Sequence, residues 1–318
     1  MAGVLTLTVN PAIDLSTAVD RVEPIRKLRC AEGRRDPGGG GVNVARVVRR
    51  LGGEVRALYP VGGLVGQLLQ RLVEAEGVAS VTVPVAGETR EDVTVLDRGC
   101  GDQYRFVMPG PRLAEAEWRA LLDALTALGP GPAIVCASGS LPPGAPDDFY
   151  ARAAAIVRGW GARFVLDTSG AALKAGLEAG VHLIKPNLRE LSELTGAPLA
   201  DEAARLAACR TLIARGRTEV VALSLGADGA LLVTAQAAWR APALPIAALS
   251  TVGAGDSFLG AMVWALAAGS PLDEAFRWAV AGGSAALLAA GTGLCHAEDM
   301  RRLAGDVVVE AVPALPAA

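Results

Sequence analysis

Ser250-Thr251-Val252-Gly253-Ala254-Gly255-Asp256-Ser257-Phe258 runs without interruption into an apolar stretch ending at Ala268. Two glycines let the backbone turn so that successive N–H groups converge. The helix that follows adds the positive end of its dipole, and together these make an anion-binding nest. Asp256 sits beside that nest, where a carboxylate would repel a bound phosphate. It suits a base that takes a proton from a hydroxyl while the nest holds developing phosphoryl charge. The same spacing equally fits a glycine-bearing turn with Asp256 as an ordinary N-cap.

Outward from this segment, short apolar runs alternate with longer helical patterns. Strands are predicted at Val4–Val9, Val55–Leu58, Ile134–Ala137, Phe164–Leu166, His182–Lys185 and Val220–Ser224. Helices are predicted at Val42–Leu51, Gln67–Glu76, Glu115–Leu128, Asp147–Arg158, Ala203–Arg215, Asp256–Ala268 and Leu272–Ala290. Repeated strand-then-helix order predicts an α/β fold with a mostly parallel sheet, helices on both faces and a ligand crevice beyond the carboxyl ends of the strands. Two stretches break the rhythm, residues 12–34 and 88–108. The second alternates in Val93–Leu96 and Tyr104–Met108 around Gly99–Asp102, which predicts a hairpin and a small β lid beside the crevice. Residues 1–318 are read as one domain carrying these insertions, with a frayed tail from Val312.

Composition narrows the function. With 52% hydrophobic and 20% charged residues among 318, the chain has material for a large core and is not globally disordered. A net charge of −3 argues against a nucleic-acid partner. No apolar stretch is long enough to span a bilayer, and MAGVLTLTVNPAID lacks the features of a signal peptide, so a cytoplasmic protein is expected. Five cysteines without CxxC spacing fit a reducing compartment and read as small buried hydrophobes. Two histidines, His182 and His296, weaken Ser-His-Asp and multi-histidine metal chemistry. Only three of the 30 cations are lysines (Lys27, Lys174 and Lys185), so each invites a reason.

Four further segments carry candidate chemistry. Pro37-Gly38-Gly39-Gly40-Gly41-Val42-Asn43 leads into a helix: its glycines admit a ligand close to the backbone, and Asn43 offers a donor and an acceptor to sugar hydroxyls. A plain flexible loop is the competing reading. Lys185-Pro186-Asn187-Leu188-Arg189-Glu190 follows a strand, with Asn187 and Glu190 spaced as a capping box or set near a magnesium–phosphate cluster. Ser224-Leu225-Gly226-Ala227-Asp228-Gly229 reads as a type I′ or II turn that could face a nucleotide. Asp14, Lys27, Arg90 and Arg105 lie in or beside the inserted stretches. Singly they read as solvated charges; together they suit a phosphorylated polyol. There is no GxxxxGK[ST] loop, which excludes a Walker-type NTPase.

The order of GGGGVN, Ser138-Gly139-Ser140-Leu141-Pro142-Pro143-Gly144, Lys185-Pro186-Asn187, SLGADGA and TVGAGDS resembles the ribokinase-like PfkB carbohydrate kinases from Leu5 to His296. Lys27-Leu28-Arg29-Cys30, Gln103–Gly110 and Gly291-Thr292-Gly293-Leu294-Cys295 resemble its 6-phosphofructokinase branch. The resemblance implies a three-layer α/β/α domain with a β lid. It also implies ATP-dependent phosphorylation of a sugar phosphate, fructose-6-phosphate first, with fructose-1-phosphate or tagatose-6-phosphate as alternatives. A non-catalytic sugar-phosphate sensor is the alternative of another class, though a sensor has no need of Asp256. By resemblance, Asp256 is the base and Gly253, Ala254 and Gly255 the anion hole. Asp14, Lys27, Gly38, Gly39, Asn43, Arg90, Arg105 and Ser140 hold the sugar phosphate. Lys185, Asn187, Ser224, Gly226, Ala227, Asp228, Gly229 and Ser284 face ATP, and Glu190 acts on magnesium through water. Ser250, Val252, Ala286, Ala289, Gly291 and Gly293 match a potassium loop, with alanine at 289 where close relatives often have asparagine. Relatives acting on the alternative substrates usually carry lysine at position 40, where this chain has Gly40, expected to leave open volume. The resemblance further implies a homodimer through the lid.

Overall fold

Strand β8 (Ile134–Ser138) is buried along its whole length, and its apolar IVCAS run shows why. Both faces are covered: Ile134 and Cys136 point into one hydrophobic core, Val135 and Ala137 into the other. The computed structural model describes residues 3–313. The chain opens with β1 (Val4–Leu7), β2 (Ala12–Val19) and β3 (Arg34–Gly38), then α1 (Gly40–Arg50), β4 (Val55–Val61), α2 (Gly63–Ala75) and β5 (Ala79–Pro84). It continues through β6 (Arg90–Asp97), β7 (Gln103–Phe106), α3 (Glu115–Ala127), β8, α4 (Phe149–Gly159), β9 (Arg163–Asp167), α5 (Gly170–Glu178) and β10 (Val181–Ile184). Next come α6 (Leu188–Thr195), α7 (Glu202–Ala214), β11 (Thr218–Ser224), β12 (Ala230–Val233) and β13 (Ala238–Ala241). Last are α8 (Ala254–Ala267), α9 (Leu272–Ala286), α10 (Ala297–Ala304) and β14 (Glu310–Ala311).

Ten strands form the main sheet in the order β14-β13-β12-β11-β10-β9-β8-β1-β4-β5. From β5 to β11 neighbours are parallel; β12, β13 and β14 add antiparallel pairs at one edge. One core packs helices α1, α8 and α9 on the sheet through Val44, Val47, Leu259, Met262 and Phe276. The other packs α3 and α4 through Leu121, Leu125, Phe149 and Tyr150. Three layers result. The chain winds outward from β1 through β4 to β5, then returns to β8 on the other side of β1, so the strand order reverses between β1 and β8. A crevice opens beyond strand ends at such a reversal.

The two stretches that break the α/β rhythm form a second sheet, β3-β2-β6-β7. β6 and β7 are the expected hairpin, with Leu96 opposite Gln103. β2 pairs antiparallel with β3 and parallel with β6, a pairing the sequence gives no sign of. Several elements went unpredicted, β5, β12–β14, α5 and α10, while α6 begins where the Asn187 capping box placed a helix start. The helix expected to reach Ala290 ends at Ala286. Val312 is tied down, its N–H donating to the Ala238 carbonyl at 2.8 Å; residues 314–318 of the expected frayed tail, like residues 1–2, lie outside the described residues. Among the described residues, no helix is long and apolar enough to cross a membrane. Cys136, Cys209 and Cys295 are buried as expected, but Cys30 and Cys100 are exposed. Both belong to irregular connections beside the small sheet, where no core is near enough to cover them.

Candidate active site

The segment around Asp256 folds as a turn into α8. Gly253 is the N-cap, in the left-handed region at φ 74°, where a side chain would be strained. Ala254, Gly255 and Asp256 are therefore the first three helical residues, and Asp256 is not the N-cap. The N–H groups of this first turn have no carbonyl of their own helix to reach. Asp256 Oδ2 accepts a hydrogen bond from Asn43 Nδ2 at 2.9 Å, which joins α8 to the first turn of α1. Burial pushes the Asp256 carboxyl above its ordinary pKa; the Asn43 hydrogen bond and the Lys185 charge pull against it, and the Asp14 charge adds to the rise.

Asp256 opens on a pocket of about 240 Å³, lined also by Gly40, Ser138, Ser140, Asp167 and Glu190. The strand ends beside the β1/β8 reversal supply most of this lining. Asp167 ends β9, and its Oδ1 lies 3.4 Å from Lys185 Nζ, just after β10. Burial lifts Asp167 to about 6; Lys185 opposes the rise and Asp256 adds to it. Burial alone would lower Lys185, but Asp167, Asp256 and Glu190 outweigh it and the net shift is upward. One ammonium thus serves three carboxylates, which repel one another and hold the proton on the lysine. Lys185 Nζ also comes within 3.2 Å of where a Cβ on Gly255 would stand, so it lies against the first turn of α8.

Asn187 and Glu190 form the capping box in full: Asn187 Oδ1 accepts from the Glu190 N–H at 2.9 Å, and Glu190 Oε2 accepts from the Asn187 N–H at 3.0 Å. Glu190 lines the pocket while doing so. Asn187 bridges Ser224 at the end of β11, bringing residues 224–229 alongside. Gly226–Asp228 is one turn of 3₁₀ helix, exposed, rather than the expected type I′ or II turn, because the backbone bonds run from Asp228 to Leu225 and from Gly229 to Gly226. Ser284 lies buried in α9, and no hydrogen bond among the described residues ties it to the pocket.

The small sheet forms the rim. Its register sets Asp14 directly beside Asp36 and Asp92. Burial raises Asp14 to about 6, and Asp92 adds to the rise against Arg105, Arg90 and Arg46. Arg90 spends its guanidinium on protein partners: it donates to Met108 O (2.7 Å) and Asn10 O (3.1 Å) and pairs with Asp92 at 3.2 Å. Arg105 stands exposed on β7, near enough to act on both Asp14 and Asp256. Lys27 lies exposed in the connection from β2 to β3, and among the described residues no hydrogen bond or ion pair joins it to the pocket. Ser140 Oγ accepts from Asn10 Nδ2 at 3.2 Å. Gly38 ends β3 and Gly39 caps α1. Gly40 does not leave open volume: a Cβ there would stand 2.9 Å from the Ser138 carbonyl carbon and 3.0 Å from the Gly139 nitrogen, because α1 begins hard against the end of β8.

Behind the α8 turn, Ser250 Oγ donates to Gly291 O at 2.9 Å, so the two segments read as a potassium loop are adjacent. Val252, Ala286 and Ala289 are buried nearby in sequence, and Gly293 O already accepts from Arg50 Nη1 at 2.8 Å. Sequence reasoning missed Asp167, although an acidic residue closing a predicted parallel strand is a usable signal. It also missed Arg46, fully buried on α1, and Glu76, which follows α2.

Residues 7–300 match the model of the pfkB family carbohydrate kinases. The chain is 46% identical over 299 residues to an ATP-dependent 6-phosphofructokinase isozyme 2 of Mycobacterium tuberculosis, spanning 94% of this chain and 88% of that one. It is 35% identical over 314 residues to a 1-phosphofructokinase of Xanthomonas campestris, spanning 97% and 98%. Phosphofructokinase-2 of Escherichia coli, solved in complex with potassium, superposes with a TM-score of 0.92 at 39% identity, covering 96% of this chain and 99% of that one. The same protein in complex with fructose-6-phosphate gives 0.91 at 38% identity, with the same coverage of both chains. With the fold, the order of its motifs and the family match over nearly its whole length in agreement, this chain belongs to the pfkB family of carbohydrate kinases.

Proposed function

We propose that this chain phosphorylates fructose-6-phosphate with ATP, giving fructose-1,6-bisphosphate and ADP. The observation that carries the reading is Asp256: a carboxylate at the open start of α8, hydrogen-bonded by Asn43 and facing a pocket shared with Asp167 and Glu190. Asp256 takes the proton from the carbon-1 hydroxyl. That oxygen forms a bond to the γ-phosphorus as the bond from phosphorus to the β–γ bridging oxygen breaks, and ADP leaves with the bond's electron pair. The N–H groups of the Gly253-Ala254-Gly255 turn stabilise charge on the transferring phosphoryl group. Lys185 neutralises the phosphates from the nucleotide side, where Asn187 and residues 224–229 flank the ATP.

Glu190 and Asp167 are hard oxygen donors beside the phosphate path and suit magnesium held through water; bound there, the ion offsets phosphate charge. Potassium suits the backbone carbonyls of the 250–252 and 286–293 segments. Ala289 contributes only its carbonyl to such a site, and the Gly293 carbonyl is already shared with Arg50. Asp14, Asn43 and Ser140 hold the sugar, and Arg105 with Lys27 takes its phosphate, while Arg90 braces the rim through Asp92 and the Met108 and Asn10 carbonyls; the small sheet acts as a lid. The lid's edge strand and the residues after it expose Tyr104, Phe106, Val107 and Met108, an apolar strip that suits pairing with a second copy.

The test is a coupled ADP assay with fructose-6-phosphate, fructose-1-phosphate and tagatose-6-phosphate as acceptors. Fructose-6-phosphate is expected to lead fructose-1-phosphate in kcat/KM by at least about tenfold, roughly 1.4 kcal/mol. Preference for fructose-1-phosphate, the reading favoured by likeness to the Xanthomonas relative, would overturn the acceptor. No ADP with any sugar phosphate would overturn the kinase and leave a sensor.

A further inference from the structure

Asn43, Arg46 and Arg50 lie three and four residues apart along α1 and so share one face of the helix, with Arg49 exposed on another. Arg46 is fully buried, an expensive place for a guanidinium unless every donor is used. Its Nε and Nη2 donate to Glu76 Oε1 at 2.8 and 2.6 Å. Its Nη1 donates to Pro37 O at 2.8 Å and to Asn43 Oδ1 at 3.1 Å. Arg50 grips the same Glu76 and donates to the carbonyls of Gly293 and Cys295 at 2.8 and 3.0 Å. The Glu76 carboxyl would rise on burial, but the two guanidiniums hold it below its ordinary range.

An asparagine amide can be turned either way round. Arg46 has donors only, so it can donate only to the oxygen end of Asn43. The NH₂ end is left to face Asp256, where it donates to Oδ2 at 2.9 Å. We infer that Arg46, clamped by Glu76, is a positioning residue for Asp256: it fixes the orientation of the Asn43 amide and thereby keeps a donor on the carboxylate. Without Arg46 the amide is free to turn its oxygen toward Asp256, which would favour the protonated carboxyl and disarm the base. This rests on the reading of Asp256 as the base.

Besides Asn43, the charged and titratable groups acting on Asp256 are Lys185, Asp14 and Arg105, with Asp167 and Cys136 coupled to it from the neighbouring strands. Arg46 also acts on Asp14 directly, so a second route to the same change exists and must be separated. The experiment measures kcat against pH at saturating substrates for wild type, Arg46→Met, Arg46→Lys, Asn43→Ala and the Asn43→Ala/Arg46→Met double variant. Loss of a charge-assisted hydrogen bond predicts that Arg46→Met lowers kcat at neutral pH by about 10–100-fold and moves the acid limb to higher pH. The KM for ATP should stay near wild type. Arg46→Lys keeps a donor and should recover part of both effects. In the Asn43→Ala background, Arg46→Met should not move the acid limb further. Should Arg46→Met fail to fold, Glu76→Gln, which loosens the clamp and keeps an acceptor, should move the acid limb the same way by less. An unmoved acid limb in Arg46→Met, or in Glu76→Gln where Arg46→Met does not fold, overturns the inference. So does a full shift by Arg46→Met on top of Asn43→Ala, which would assign the effect to the field on Asp14. Wild-type turnover in Asp256→Asn would instead overturn the reading of the base, so the two failures are told apart.

Discussion

At the floor of the crevice, Asp256, Asp167 and Lys185 sit where strand ends meet the start of α8, and fixed partners hold them: Asn43 for Asp256, Lys185 for Asp167. At the rim, the small sheet carries Arg105 exposed and Lys27 on an exposed connection, while Arg90 is already committed to Asp92 and two carbonyls. The floor is preorganised by burial, and its charges work against one another at low dielectric. The rim is solvated and keeps cations free for a ligand. A group that does chemistry gains from the first environment and a group that catches an anion from the second, since a solvated cation loses less on meeting its partner.

The largest effect expected from this contrast is at Asp256. Asp256→Asn keeps the shape and removes the proton acceptor, so kcat should fall about 10²–10⁴-fold while the KM for either substrate changes little. Steady-state kinetics checks this, and a change confined to KM would make the floor a binding surface like the rim. Next in size is Arg105→Ala, expected to raise the KM for the sugar phosphate about 10–100-fold, as for loss of a charge-assisted bond, with little change for ATP. Lys27→Ala should do the same by only a few fold, because an exposed ion pair is worth about 1 kcal/mol or less. If Lys27 proves the larger, the rim is built from its connecting loop rather than from β7.

A separate effect, on stability rather than turnover, concerns Asp14, a rim carboxyl that burial raises as it raises Asp256 and Asp167 at the floor. Its pKa rises on folding from 3.8 to about 6. The folded state therefore binds the proton more tightly, and the resulting stability is full below pH 3.8 and is lost as pH rises through 6. Asp14→Asn mimics the protonated form and escapes that loss. Relative to wild type, it should gain about 1–2 kcal/mol between pH 4 and pH 7.5, read from urea midpoints. No change with pH would place Asp14 with the solvated rim.

Legibility followed the range of the interactions. The capping box of Asn187 and Glu190 was readable because its four residues decide it among themselves. The β6–β7 hairpin was readable because alternation and an intervening turn specify it locally. Gly40 was misread as open space, because the obstacle is the backbone of Ser138 and Gly139, far away in sequence. Asp167 and Arg46 went unnoticed because nothing adjacent to either residue reveals its partner. The antiparallel strands β12–β14 escaped for a related reason: each is four residues or shorter, too few for a period to declare itself.

The sequence by itself determined the alternation of buried strands and amphipathic helices, hence a parallel sheet with its crevice at the strand ends, and the glycine-bearing turn that exposes the start of α8. These follow from periodicity and backbone freedom, which act over a few residues. Only the tertiary structure decided what Asp256 meets. Its hydrogen-bond partner Asn43 is 213 residues away, and the guanidinium that orients Asn43 is anchored by Glu76 from another helix end. Such contacts exist because the winding order of the sheet seats α1 and α8 side by side on one face, and no local propensity encodes that order.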